Sequence, residues 1–215
     1  MRSYLLVLRY AVFNLVGVAL LAAAWLEGWV AKVVAADITG ISLVIAAVFA
    51  VGWLLCTVRL VACGRELEAA LGNPGEGTRA RWYAALVAAA PGPARGPLAD
   101  CLRSRLYARI ASVRTIANAL VVLGLIGTVI GFIIALSGID PAAVADVGAI
   151  GPMVSTLIQG MAVALYTTLV GAVFHVWLTV DYHLLAGGTV TLANAIIERI
   201  EAPAHFAPAA EAAGV

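Results

Sequence analysis

Three threonines set among glycines, in two long uncharged stretches, are the residues best placed to do chemistry. The first stretch reads Leu123-Gly124-Leu125-Ile126-Gly127-Thr128-Val129-Ile130-Gly131. The second reads Gly160-Met161-Ala162-Val163-Ala164-Leu165-Tyr166-Thr167-Thr168-Leu169-Val170-Gly171. Each threonine hydroxyl can donate one hydrogen bond and accept others. On a 3.6-residue period, Gly124, Thr128, Gly131, Ala135 and Gly138 fall close to one face, with Gly127 at its border. Thr156, Gly160, Ala164, Thr167, Thr168, Gly171 and His175 gather on one side of the second stretch. Leu157, Leu165, Leu169, Val173 and Val176 are left for lipid or for other packing. Two uses fit. Small residues let helix backbones approach closely, and threonine often bonds the carbonyl four residues back, so both patterns could be packing alone. The same hydroxyls could also line a path for an ion. Spacing leaves both readings open.

What these stretches lack is as informative. Neither has an Asp, Glu, Lys or Arg at mid-depth. A proton relay across a membrane needs a carboxylate or imidazole near its middle. His175 lies about 10 to 13 Å along the helix from Thr167 and Thr168, by the rise per residue, and reads as an interface hydrogen-bonding residue. Tyr166 is the remaining titratable group. If the chain moves protons, another chain must bring the acid. Other chemistries find no motif. Ser155 with His175 or His183 lacks a nucleophile-elbow setting, so the chain does not read as an enzyme. No phosphate-cradling loop and no His/Glu metal cluster appears, and no cofactor is expected beyond the transported proton or sodium ion. Cys56, Cys63 and Cys101 match no zinc spacing and read as inert buried or interfacial thiols.

The elements that would position the threonines are membrane spans. Hydrophobic residues make up 63% of the chain, charged residues 12%, and mean hydropathy is +1.03. A soluble domain carries about 25% charged residues, so composition places this chain in the membrane. A net charge of +1 gives no support to a nucleic-acid partner. Four apolar runs are long enough to cross a bilayer as helix. They lie between Arg9 and Glu27 (running on to about Val30), Asp37 and Arg59, Arg114 and Asp140, and Asp146 and Asp181. The last exceeds the roughly 30 Å hydrocarbon core, so it must tilt or protrude. Arg59, Arg65, Arg79, Arg81, Arg95, Arg103, Arg105, Arg109 and Arg114 all fall between spans two and three, while the loop between spans three and four has only Asp140 and Asp146. With Arg2 and Arg9 ahead of span one, this predicts cytoplasmic termini and a cytoplasmic middle loop. A competing reading of span one exists: Arg2, Arg9, an apolar core and Ala22-Ala23-Ala24 also resemble a cleaved secretory signal. Trp25, Trp29 and Trp53 read as interface or lipid-facing aromatics, and Asn14 as packing glue.

These signals give an all-α integral membrane protein of four transmembrane helices, spans three and four extending into the cytoplasm. We divide it into spans one and two (1–63), a short cytoplasmic helical segment (64–114), the region of spans three and four (115–185), and a C-terminal helix with a disordered tail (186–215). Gly64 to Ala70 should continue span two. Asn73-Pro74-Gly75 marks a turn, and Thr78 to Ala90 a helix that Pro91-Gly92-Pro93 ends. A single helix is expected from about 98 to 137, with Leu102, Leu106, Ile110 and Val113 on one stripe and Arg103, Arg105, Arg109 and Arg114 elsewhere. Asp140 and Pro141 should start a short helix, and Gly151-Pro152 should start span four. Gly187-Gly188 allows a kink or end before a last helix, about Thr189 to Ile200.

The two glycine–threonine motifs, in this order and about 40 residues apart, resemble the MotA/TolQ/ExbB family of ion-driven motor subunits from bacterial inner membranes. The likeness covers roughly Ala117 to Tyr182. It implies a homo-oligomer, a pentamer, around a dimer of single-span MotB/TolR/ExbD-like partners, each bringing a membrane aspartate. It implies that Thr128 and Thr168 face that aspartate, with Gly124, Gly127, Gly131, Gly160, Ala164 and Gly171 packing the helices around the pore. Thr167 beside Thr168 is similar to the double threonine of sodium-type flagellar stators, where proton-type relatives often have Ala; proton is taken as the default ion. Four spans with both termini inside resemble MotA, not the three-span TolQ and ExbB. The middle segment is much shorter than the torque-transmitting domain of flagellar stators, and its charges are nearly all Arg. Energised transport, envelope maintenance or a specialised motor fits as well as motility. The alternative is a non-conducting structural scaffold in the membrane.

Overall fold

The computed structural model describes residues 2–72, 78–89, 95–139 and 147–206. Among the described residues six helices follow one another: α1 Arg2–Leu26, α2 Trp29–Ala36, α3 Ile41–Gly72, α4 Thr78–Ala89, α5 Arg95–Ser137 and α6 Val147–Phe206. The described residues are all-α, and four of these helices carry stretches long and apolar enough to cross a membrane: Leu6–Leu26, Ile41–Ala69, Pro97–Ser137 and Ile150–Glu198. This is a multi-pass membrane protein.

Helix ends follow local chemistry. Span one stops at Leu26 and not near Val30, because Gly28 adopts a left-handed φ of 77° that closes α1 and opens α2. Its amide reaches back to the Trp25 carbonyl at 3.0 Å, and its carbonyl accepts from Lys32 at 3.1 Å. Gly40, at φ 72°, turns the chain into α3. Asp37 holds that corner. Its carboxylate accepts from the Thr39 amide at 3.2 Å, the Thr39 hydroxyl at 2.6 Å and the Ser42 amide at 2.5 Å. Ser42 lies in the first turn of α3, so the carboxylate also meets the positive end of the helix. Burial pushes the Asp37 carboxyl up, but the hydrogen bonds from Thr39 and Ser42 outweigh it and hold the group below its ordinary value.

The chain gathers into two units. One takes its described residues from Met1–Val12, Leu55–Ser112 and Asp181–Val215, the other from Phe13–Leu54 and Val113–Val180. The first has a compact apolar core of Cys63, Leu67, Tyr83, Leu102, Leu106, Leu192 and Ile196 with two alanines. Here α5 is amphipathic as its sequence predicts. Leu102, Leu106 and Ile110 are buried, while Arg103, Arg105 and Arg109 are exposed. In the same unit the Tyr10 and Thr57 hydroxyls pair at 2.6 Å.

The second unit is built differently. Asn14, buried in α1, is the acceptor for two indoles: Trp53 Nε1 donates at 2.6 Å and Trp177 Nε1 at 3.0 Å. An amide oxygen has two lone pairs, so one side chain ties α1, α3 and α6 together. Asn14 is packing glue, as expected. Trp53 corrects the sequence reading: it is half-buried and turned inward, while Trp25 and Trp29 are exposed. Phe49 and Phe174 stack with ring centroids 4.3 Å apart. Gly17 admits the Trp177 ring, since a Cβ there would stand 2.7 Å from a ring carbon.

Two further expectations change. Helix α6 begins at Val147, so Gly151-Pro152 lies inside its first turns instead of starting it. It also runs unbroken through Gly187-Gly188. At Gly188 a Cβ would meet the Leu6 side chain at 2.5 Å, so that glycine serves a close approach between helices and not a break. The expected start at Asp140-Pro141 and the tail beyond Phe206 lie outside the described residues.

Candidate ion-path site

The glycines and threonines meet along a seam between α5 and α6. In lipid there is no hydrophobic drive between helices, so contact depends on how closely backbones can approach. From one end to the other, the seam pairs Gly124 with Gly171, Gly127 with Thr167, Gly131 with Ala164 and Gly160, and Gly138 with Thr156. Each turn forward on α5 is matched by a turn back on α6, as antiparallel neighbours require. A Cβ on Gly131 would stand 2.5 Å from the Ala164 amide nitrogen and 2.6 Å from the Gly160 carbonyl oxygen. A Cβ on Gly160 would stand 2.5 Å from the Gly131 oxygen, and one on Gly171 2.9 Å from the Leu120 oxygen. All of these obstacles are backbone, which cannot swing aside. Gly124, Gly127, Gly131, Gly160, Ala164 and Gly171 are buried or line this contact.

The three threonines divide. Thr167 is fully buried, and its single O–H lies 2.9 Å from the Val163 oxygen and 3.1 Å from the Ala164 oxygen of its own helix. A Cβ on Gly127 would come within 2.5 Å of the Thr167 Cβ, so Thr167 fills the space that glycine leaves. Thr168, one residue on and about 100° around the helix, is exposed. Its hydroxyl donates across the seam to the Gly124 oxygen at 3.4 Å. Thr128 is half-buried on the flank of α5 and donates to the Leu125 oxygen at 2.5 Å. An O–H engaged this way keeps its lone pairs, so Thr128 and Thr168 can still accept from an acid or water, or offer oxygen to a cation.

His175 extends the seam: its Nδ1 donates to the Ala117 oxygen at 2.7 Å, the interface role expected for it. Beyond the seam, exposed apolar side chains cover both helices, among them Leu125, Val129, Phe132 and Ile133 on α5 and Ile158, Met161, Leu165 and Leu169 on α6. Among the described residues, no group of three or more His, Cys, Asp or Glu gathers where it could hold a metal ion. Cys56 and Cys63 are buried and Cys101 is exposed.

Sequence reasoning missed one acid. Asp181 marked the far edge of span four, yet it is fully buried and interacts electrostatically with Tyr10 and Cys56 in its own unit. It stands 13 residues past Thr168, about 20 Å along the helix, so it does not supply the carboxylate absent at threonine level. An aspartate just past a long apolar run was the available signal.

No curated protein and no solved structure is significantly similar to the chain. The seam lies wholly inside residues 98–197, and that stretch matches the model of the MotA/TolQ/ExbB proton channel family, so the family resemblance carried by the two glycine–threonine motifs is shown over it.

Proposed function

We propose that this chain is the ion-channel subunit of a motor driven by ion-motive force in a bacterial inner membrane. Thr128 and Thr168 form one side of its ion path. The other side is a carboxylate on a single-span partner. The observation that carries this reading is that Thr128 is half-buried and Thr168 exposed beside a tight glycine seam, each hydroxyl with lone pairs left to accept, and with no acid at their level in either helix. A protonated partner carboxyl would donate to these oxygens; once ionised, it would take a donated hydroxyl in return. Each charge crossing the membrane releases about 2.3 kcal/mol per 100 mV. Copies of the chain pack through the exposed apolar faces of α5 and α6 into a ring, a pentamer around two partner helices, with lipid outside and both termini in the cytoplasm. The ion is a proton: Thr167 is fully buried with its hydroxyl held to its own helix, so only Thr168 of the pair is exposed to a partner.

The scaffold reading draws its support from Thr167 and the glycines, which a purely structural helix pair would use in the same way. Co-purification separates the two. The chain is expressed with a neighbouring-gene product that has one span and a mid-membrane aspartate, and the complex is imaged. Five copies around two partner helices support the motor; a monomer, or a homo-oligomer with no central partner, counts against it.

A further inference from the structure

We propose that a cavity between α4 and the first half of α5 binds a phosphate-bearing anion. This inference rests on the membrane placement above, and not on ion conduction. The cavity, about 220 Å³, is ringed by Thr78, Arg79, Trp82, Arg105 and Arg109 over a floor of leucines, all within one unit. A fourth cation lies behind this wall, where the Arg59 guanidinium donates to the Arg109 carbonyl. Only part of this charge is balanced. Arg79 pairs with Glu66 at 3.0 Å, and the same carboxylate interacts electrostatically with Arg109, whereas Arg59 and Arg105 form no ion pair among the described residues.

The geometry suits phosphate more than a lone carboxylate or chloride. A guanidinium fork matches two oxygens of a carboxylate or a phosphate alike, but a phosphate has further oxygens and more charge, so it can engage more than one of the lining arginines at once. Arg105 is already held in place, its guanidinium carbon 4.7 Å from the Trp82 ring centroid, so less side-chain freedom is lost on binding. Thr78 is the first residue of α4, which puts the positive end of that helix at the cavity rim. Arg59 ends the uncharged run of span two, and Arg109 and Arg114 precede that of span three, so the cavity lies where lipid headgroups would be. The phosphate can therefore belong to an anionic phospholipid or to a soluble phosphate compound.

The test uses the full-length chain. In neutral detergent, pyrophosphate is titrated by calorimetry. In nanodiscs of phosphatidylcholine with or without phosphatidylglycerol, retained lipid is counted by native mass spectrometry. Wild type is compared with Arg105→Gln/Arg109→Gln, whose side chains are exposed and whose loss leaves the α5 core stripe intact, and with Arg65→Gln/Arg114→Gln as a charge-matched control outside the cavity. Pyrophosphate binding weakened at least about tenfold in the double variant, and not in the control, establishes a soluble-phosphate site. Retention of phosphatidylglycerol alone, lost in the double variant, establishes a headgroup site. Binding of neither probe, or equal loss in the double variant and the control, overturns the proposal. Because neither readout depends on ion flux, failure here is separable from failure of the channel reading.

Discussion

Replacing Gly131 by alanine tests whether backbone proximity holds the α5–α6 seam. The new methyl would stand 2.5 Å from the Ala164 amide nitrogen and 2.6 Å from the Gly160 oxygen, against 3.4 Å for ordinary contact. The helices must therefore part by about 0.9 Å, or bend, because the obstructing atoms are backbone. Overpacking of this kind costs about 1–3 kcal/mol. Alanine in place of glycine returns about 0.5–1 kcal/mol through lower backbone entropy in the unfolded chain. The net expectation is a loss of about 0–2.5 kcal/mol, centred slightly above 1 kcal/mol. Gly187→Ala is the matched control: it also lies inside α6, but its Cβ would meet nothing within 4 Å. That change should leave stability unaltered or raise it by up to about 1 kcal/mol. Both variants can be followed by denaturant unfolding in detergent with tryptophan emission as the signal. If Gly131→Ala exceeds the wild type, or is as stable as Gly187→Ala, the close-contact account of the seam is wrong.

Three further outcomes are expected. Asn14→Leu removes the acceptor shared by Trp53 and Trp177 and should cost about 2 kcal/mol or more, with a shift in tryptophan emission; stability within about 0.5 kcal/mol of wild type would show that the node is not structural. Asp181→Ala should destabilise by about 1–3 kcal/mol and Asp181→Asn by less, because the amide keeps part of the polar contact; equal unfolding midpoints for all three proteins would contradict this. Asp37 gives a pH dependence. Its carboxyl is held below its ordinary value in the fold, so its stabilisation is complete above the unfolded value near 3.8 and is lost as pH falls through the folded value. Hydrogen exchange at the Thr39 and Ser42 amides should stay protected from about pH 7 to about pH 4 and open below that, whereas in Asp37→Asn it should be weaker and flat with pH. Opening already at about pH 5 to 6 would refute the sign.

Periodicity made much of this architecture legible. Leu102, Leu106, Ile110 and Val113 announced a single long α5, and the glycine and threonine spacing announced the face that α6 would meet. What stayed hidden depended on residues distant in sequence. Hydropathy alone makes Trp53 a lipid-facing residue; that it turns inward depends on Asn14, on another helix. Gly187-Gly188 reads as a breaker, yet the helix persists because Gly188 is spent on contact with Leu6. The early stop of α1 depended on a left-handed Gly28, a choice that flanking apolar residues do not reveal. Thr167 and Thr168 looked like one feature, but adjacent helical positions point about 100° apart, and the seam buried the first while leaving the second exposed.

Ion flux through vesicles containing this chain and its partner is the most direct test of the central claim. Valine preserves the shape of threonine while removing the hydroxyl. Under an imposed membrane potential, Thr128→Val and Thr168→Val should each lower proton flux at least about tenfold, the worth of a hydrogen bond to a charged group. Thr167→Val should conduct as the wild type does, because its hydroxyl serves only its own helix. Undiminished flux in the Thr128→Val/Thr168→Val double variant, or loss of flux in Thr167→Val alone, would contradict the account.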